Sequence, residues 1–179
     1  MKLIIASDIH GSSYYCSLLL EKVEKEDPDR LLLLGDILYH GPRNDLPRDY
    51  DPKKVTASLN AIADKILCVR GNCEAEVDQM MLSFPVLADY AFLFDSKTKI
   101  TATHGHKLDS FTPPKSGEVI VYGHTHVPVD HKSDNGGRFI NPGSVSIPKQ
   151  SSPHSYIVYE DGVFTWYDLE SGESYVPEF

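Results

Sequence analysis

The chain has 179 residues, close to the common size of one domain and long enough to bury a core. Hydrophobic residues make up 41% and charged residues 24%, a globular balance that excludes an intrinsically disordered chain. A formal net charge of -9 argues against a nucleic-acid-binding module, although bound dications would make a site locally attractive to anions.

Residues 2–7 (KLIIAS) form a continuous apolar run, as expected for a strand buried on both faces. Ser12 or Ser13 can cap a helix that runs to Glu26, with Leu18, Leu19, Leu20 and Val23 on its apolar face. The Asp27-Pro28 step stops it, and residues 30–34 (RLLLL) give a second buried strand ending at Gly35-Asp36. Such a crossover is long enough for parallel pairing. Residues 37–50 are polar and turn-rich, a surface loop at the strand's C-terminal end, where ligands gather in α/β sheets. Asp51-Pro52 opens another helix, an N-cap followed by proline at the first helical position, with Val55, Leu59, Ile62 and Ala63 inside. Residues 66–69 are a third strand, ending in Arg70-Gly71-Asn72.

The second half is richer in strands. A helix is expected over 74–82, followed by Pro85. Residues 91–94 and 99–103 flank the polar turn DSKTK as a hairpin. Further strands are expected at 118–122, 129–133, 138–141, 154–159 and 163–168, with hairpin turns at Asn135-Gly136 and Asp161-Gly162. An α/β half followed by a β-rich half suits a single domain, 1–179, of two packed sheets flanked by helices. No stretch approaches the ~20 apolar residues of a transmembrane helix, and the N-terminal apolar run is too short for a signal sequence. Cys16, Cys68 and Cys73 form no CxxC pair and read as reduced thiols, so the expected location is cytoplasmic.

Five blocks, SDIHG, LGD, RGNCE, THGH and YGHTH, each follow an apolar run. Within them Asp8, His10, Asp36, Asn72, His104, His124 and His126 are oxygen or imidazole donors, the ligand types that suit first-row divalent metals. Alternate residues of an extended strand project to one side, so Asp8 and His10 can share an ion if strand geometry persists. Each block alone is weak: a lone Asn72 reads equally as a helix cap, and a lone histidine is more often a surface or core residue. Two HxH pairs, each beside a glycine and after a β run, shift that balance, and GHTH is the most specific block. Several acids in one cleft are costly without cations, and a carboxylate bridging two ions resolves the conflict.

The order DxH, GD, GN[HC][ED], H, GHxH resembles the calcineurin-like metallophosphoesterase superfamily. The segments LGD with HGPRN, VRGNC, EVDQM, HGH, VYGHTH and NPGSVSIPK resemble its YfcE-type bacterial branch, over almost the whole chain. The resemblance implies a four-layer αββα sandwich of two mixed β-sheets flanked by helices. It implies two divalent ions, one held by Asp8, His10, Asp36 and His126, the other by Asp36, Asn72, His104 and His124, with Asp36 bridging. Manganese is favoured, with zinc, iron, cobalt or nickel as alternatives. Asp36, Asn72 and His104 are the expected catalytic residues in phosphodiester hydrolysis. Two ions about 3.5–4 Å apart lower the pKa of a shared water from about 15.7 to roughly 7, and the hydroxide attacks phosphorus in line.

Cys73 departs from the superfamily, many of whose members carry a histidine there that is thought to protonate the leaving group. A thiol is a weaker hydrogen-bonder, so Cys73 reads as a small half-buried residue rather than a nucleophile. Activated aryl diesters should then be cleaved better than simple alkyl phosphates. Among substrate-binding candidates, Arg43 can grip a phosphate oxygen with its guanidinium fork, beside His40 and Asn44 in the same loop. His106 can orient substrate, with a plain surface role as its competitor. Arg70 is expected to pair near Asp36 or Glu74, and Pro142-Gly143-Ser144 to form a tight turn beneath the ligand loops. The expected partners are a small phosphodiester, rather than a membrane or nucleic-acid polymer, and further copies of the chain in a homodimer or homotetramer. Alternatives are a phosphomonoesterase or protein phosphatase on the same metals, or a metal-poor scaffold of the retromer-subunit type, against which the filled ligand positions weigh.

Overall fold

A computed structural model describes residues 1–95 and 98–177. The two N-terminal apolar runs become β1 (Lys2–Ala6) and β2 (Arg30–Leu33), paired in parallel with Leu3 opposite Arg30 and Ala6 opposite Leu33. Beyond β2 lies β3 (Ile66–Cys68), also parallel. The crossovers are α1 (Ser13–Glu26) and α2 (Pro52–Asn60). Ser12 caps α1 by accepting from the Tyr15 N–H, and Asp27, left-handed at φ 42°, ends it. Asp51 caps α2 by accepting from the Lys54 N–H at 3.1 Å, so both sequence-predicted caps form.

The chain returns to this sheet only at its end. β9 (Ser155–Glu160) lies antiparallel on the free side of β1, followed by β10 (Val163–Asp168) and the short β11 (Ser174–Tyr175). The order is β11-β10-β9-β1-β2-β3. A second sheet, β4-β5-β6-β8-β7, contains β4 (Tyr90–Asp95), β5 (Thr98–Thr103), β6 (Glu118–Val121), β7 (Pro128–Lys132) and β8 (Arg138–Pro142). Its three middle strands run parallel and its two edges antiparallel. Part of the predicted β4–β5 turn, Ser96 and Lys97, lies outside the described residues.

Period-two alternation sorts the core into two slabs. Ile4, Ala6, Leu31 and Leu33 face Cys16, Leu19 and Val23 of α1 and Val55 and Leu59 of α2. Leu3, Ile5, Leu32, Ile157 and Tyr159 face the other way, against Ile100, Ala102, Val119, Val121 and Ile140 of the second sheet. Each such fully buried aliphatic side chain contributes about 1.5–3 kcal/mol. The predicted sandwich of two mixed sheets with flanking helices therefore forms. The outer face of the second sheet is covered thinly, where Phe111 and Pro113 lie near Phe92, Thr101 and Ile120. The expected helix over 74–82 is shorter, α3 (Glu76–Met81), because Glu74 is engaged elsewhere. Among the described residues no helix is long and apolar enough to cross a membrane.

Candidate metal centre

The loops that leave β1, β2, β3, β5 and β6 meet at one edge of the sandwich. Hydrogen bonds continue past the strand ends, from Asp8 N–H to Gly35 O at 3.1 Å, His10 N–H to Asp36 O at 2.9 Å and Gly11 N–H to Ile37 O at 2.7 Å. The backbone there is not extended. Asp8 and His10 sit at φ 59° and 48°, so strand alternation does not aim them, contrary to expectation; left-handed turns do. Asp36, His124 and His126 are also left-handed, at φ 54°, 68° and 61°. Asp and His tolerate this region better than most side chains, and such strain clusters at functional sites. Gly35 (φ 94°) lets the Asp36 loop touch the next one, since a Cβ there would strike the backbone of Gly71.

These turns bring the donor atoms together. Asp8 Oδ1 lies 3.2 Å from His126 Nε2 and 3.5 Å from His10 Nε2, and the two imidazole nitrogens are 3.3 Å apart. Asp36 Oδ2 lies 3.7 Å from His10 Nε2 and 3.5 Å from His104 Nε2. Asn72 Oδ1 is 3.1 Å from His104 Nε2. The His124 ring centroid is 5.1 Å from that of His104, and its backbone N–H donates to Asp8 Oδ2 at 3.0 Å. Asn72 does not cap α3, whose cap position is Ala75.

Three of the histidines are oriented alike. His10 Nδ1 meets the carbonyl of Tyr39 at 2.8 Å, His104 Nδ1 that of Leu34 at 2.7 Å, and His126 Nδ1 that of Ile147 at 2.7 Å. A carbonyl only accepts, so each Nδ1 carries the proton and each Nε2 turns inward, the arrangement found for metal-ligating histidines. Burial alone would push Asp8 up, but His10 and His126 hold it well below the usual carboxylate range. Burial likewise opposes charge on His104, yet Asp36 and Asp8 raise it to about 9. Burial and the neighbouring His104 lower His124. Asp8 Oδ1 is buried without a hydrogen-bond partner, and His10 and His126 bring two Nε2 atoms against it. A divalent cation satisfies this donor set.

A cleft of about 430 Å³ opens onto these groups, lined by His10, Asp36, Asn72, His124 and His126, with Arg43, Asn44, Cys73, Thr125 and Lys149. Arg43 and Asn44 thus line the cleft. His106 does not line it; its ring lies 5.5 Å from that of His104, with Nδ1 buried and unpartnered. Cys73 donates its backbone N–H to Asp36 Oδ1 at 2.9 Å, while burial and then Asp36 push its thiol up, which keeps it protonated.

Residues 1–161 match the calcineurin-like phosphoesterase superfamily domain. The chain belongs to that superfamily. It is 45% identical over 167 residues to the phosphodiesterase YfcE of Escherichia coli K12, covering 92% of this chain and 90% of that protein. The solved structure of YfcE, a phosphoesterase from E. coli, matches with a TM-score of 0.93 at 42% identity, over 98% of this chain and 97% of that one. Zinc-bound Vps29 of Entamoeba histolytica shares the fold alone, with a TM-score of 0.62 at 16% identity over 98% and 96%. The chain is a phosphoesterase, and its edge cluster supplies candidate metal-binding residues.

Other side chains hold the phosphoesterase loops in place. Glu74, 5% exposed, accepts from the N–H groups of Asp36 at 2.9 Å and Ile37 at 2.7 Å, and from that of Gly71. Sequence reasoning considered Glu74 only as a partner for Arg70, whose guanidinium instead donates to the Glu74 backbone carbonyl at 3.3 Å. Asn141 donates to Gly123 O at 2.8 Å and Thr125 Oγ1 at 3.1 Å and accepts from Gly143 N–H, tying the GHTH loop to the NPGS turn. The hydroxyls of Ser144 and Ser146 donate to Asp8 O at 2.9 and 3.1 Å, so the turn does support the ligand loops. Lys149 was missed, though a lysine closing NPGSVSIPK was a visible cue; its N–H donates to His126 O at 3.1 Å.

Proposed function

We propose that this phosphoesterase is a phosphodiesterase working with two divalent metal ions, manganese foremost. Asp8, His10, Asp36 and His126 would hold one ion, and Asp36, Asn72, His104 and His124 the other. The observation that carries the reading is the position of Asp36 Oδ2, 3.7 Å from His10 Nε2 and 3.5 Å from His104 Nε2, between the two groups of donors. When bound, such ions activate water as a nucleophile and offset charge on the phosphoryl oxygens. The three Nδ1–H bonds to carbonyls keep the imidazoles aimed and in one tautomer. Arg43 and Lys149 line the cleft as cations for non-bridging phosphate oxygens, Arg43 through a bidentate fork. A protonated Cys73 thiol on the same wall is a weak proton donor, which favours esters whose alcohol leaves readily. The 45% identity to a protein named a phosphodiesterase supports diesters over monoesters.

The test is metal-depleted protein reconstituted with manganese, assayed on bis(p-nitrophenyl) phosphate and p-nitrophenyl phosphate together with metal analysis. Two ions per chain, diester turnover abolished by chelation and slower monoester turnover are expected. One ion at full activity overturns the dinuclear reading, and faster monoester turnover makes the protein a phosphomonoesterase. The reading also takes the protein to be a cytoplasmic single domain that self-associates, since edge strand β4 leaves Tyr90, Phe92 and Phe94 exposed. Sedimentation of a monomer that Phe92→Asp leaves unchanged would refute self-association through that edge.

A further inference from the structure

A second concavity, about 460 Å³, adjoins the metal cleft, and Cys73 lines both. Its other walls are mainly apolar, with Leu38, Tyr39 and Tyr50 and with Val77 and Met81 of α3; Lys53, Thr56 and Asp78 are the polar members. None of the α3 residues is buried, and Val77 and Met81 are 58% and 50% exposed. An apolar helix face left open beside a catalytic cleft needs an explanation that a scattered surface residue does not. The tyrosine rings are fixed by His40, which each meets edge-on at 4.8 and 5.3 Å. The groove is also coupled to the donors, because the Tyr39 carbonyl holds His10 Nδ1.

Resting on the phosphodiesterase reading, we infer that this groove binds the apolar ester arm of the substrate, an aryl-sized group carried past Cys73 from a phosphate seated in the metal cleft. Two phenol rings and a thioether around an open slot suit an aromatic ring, by edge contacts and by sulfur–ring contact. A nucleobase or sugar would find few partners for its polar edges among Leu38, Val77 and Met81, and Asp78 already accepts from the Ala75 N–H. The volume lies within the range of small-molecule pockets. Continuity with the metal cleft through Cys73 argues for a substrate arm rather than a protein partner.

The experiment is competition against ester turnover by methylphosphonate, phenylphosphonate and 2-naphthylphosphonate with metal-loaded protein. Phenyl- and naphthylphosphonate should show Ki values at least about tenfold below that of methylphosphonate, from the apolar area they bury. Val77→Asp and Met81→Asp should bring that ratio toward one, while Val163→Asp, an exposed site on β10, should leave it unchanged. In zinc-loaded protein, nuclear Overhauser contacts are expected between naphthyl protons and the Met81 methyl, a readout independent of turnover. Equal Ki values, a ratio untouched by both α3 variants, or naphthyl contacts elsewhere overturn the inference while ester turnover leaves the phosphodiesterase reading standing. An oligomer that Val77→Asp dissociates without changing the ratio assigns the groove to a second copy and also overturns it. Absence of ester turnover and of methylphosphonate binding removes the underlying reading, and the inference with it.

Discussion

Replacing Glu74 tests whether one buried carboxylate holds the loop of Asp36, the proposed bridging residue. Its Oε1 accepts from Ile37 N–H at 2.7 Å, and its Oε2 from Asp36 N–H at 2.9 Å and from Gly71 N–H. Glu74→Ala leaves three N–H groups without an acceptor in a region where Glu74 itself is only 5% exposed. Each unsatisfied buried group costs about 1–3 kcal/mol, and water entering the vacated space recovers part of that. A net loss of about 3–6 kcal/mol is expected, a large share of the roughly 5–15 kcal/mol stability of a typical domain. One term works in the other direction: burial, and then the Asp36 charge, raise the Glu74 pKa, so the ionised side chain is itself held at a cost. Glu74→Gln keeps one acceptor oxygen but faces an amide NH₂ toward a donor, and should lose about half as much. Urea unfolding of metal-free protein, with the m-value checked for constancy, measures both, and metal titration measures the loop. A Glu74→Ala protein within about 1 kcal/mol of the parent, with unchanged metal affinity, would show that other contacts suffice and refute the reasoning.

Asp36→Asn should lose metal as well as turnover, because a neutral amide cannot balance two cations; full metal content and activity in that variant would refute the bridging role. In metal-free protein the His104 pKa is raised from 6.5 to about 9, so its stabilising pairing with Asp36 is fully present below 6.5 and lost as pH rises through about 9. Asp8 has the opposite sign: its contribution is present above 3.8 and lost as pH falls through its depressed folded value. An ion held by His104, as proposed, would have to displace that proton, so apparent affinity should rise about fiftyfold between pH 7 and 9 from that proton alone. Calorimetric titration in buffers of different ionisation enthalpy reads the release, and heats independent of buffer would contradict it.

The first half of the fold was legible because local and tertiary signals agree. The apolar runs of β1 and β2, the Ser12 cap and the Asp51-Pro52 start each specify the same element that packing requires. Residues 74–75 were misread as helix because the Glu74 side chain serves backbone groups 37 and 38 residues away, which no local window contains. β11 is two residues long and exists through pairing with Trp166 and Tyr167. In the site, the two HxH pairs differ, as the sequence reading of GHTH as the more specific block expected. His124 and His126 both take left-handed turns and both line the cleft, whereas in the other pair Gly105, at φ 107°, takes the turn and His106 does not reach it. Asn141 and Lys149 escaped notice because they meet the GHTH loop only through the fold.

The left-handed backbone bears on what shapes the site. For a non-glycine residue this region costs up to roughly 1–2 kcal/mol, and less for Asp and His, so Asp8, His10, Asp36, His124 and His126 together store at most about 5–10 kcal/mol. Cations alone need not hold that strain, because protein groups already bind these turns: Gly35 O and Asp36 O accept from Asp8 and His10, Ser144 and Ser146 grip the Asp8 carbonyl, and Glu74 grips the Asp36 loop. The donor geometry is thus set mainly by main-chain hydrogen bonds, and a metal ion at the proposed site would enter as a guest between His10 and His126, whose nitrogens lie 3.3 Å apart. Hydrogen exchange separates this from a site built by its metals. After chelation the amides of Asp8, His10, Asp36 and Ile37 should remain protected, with global stability lowered by the binding free energy. Fast exchange confined to these four amides in metal-free protein would mean that the ions, rather than Glu74 and the NPGS turn, shape the ligand loops.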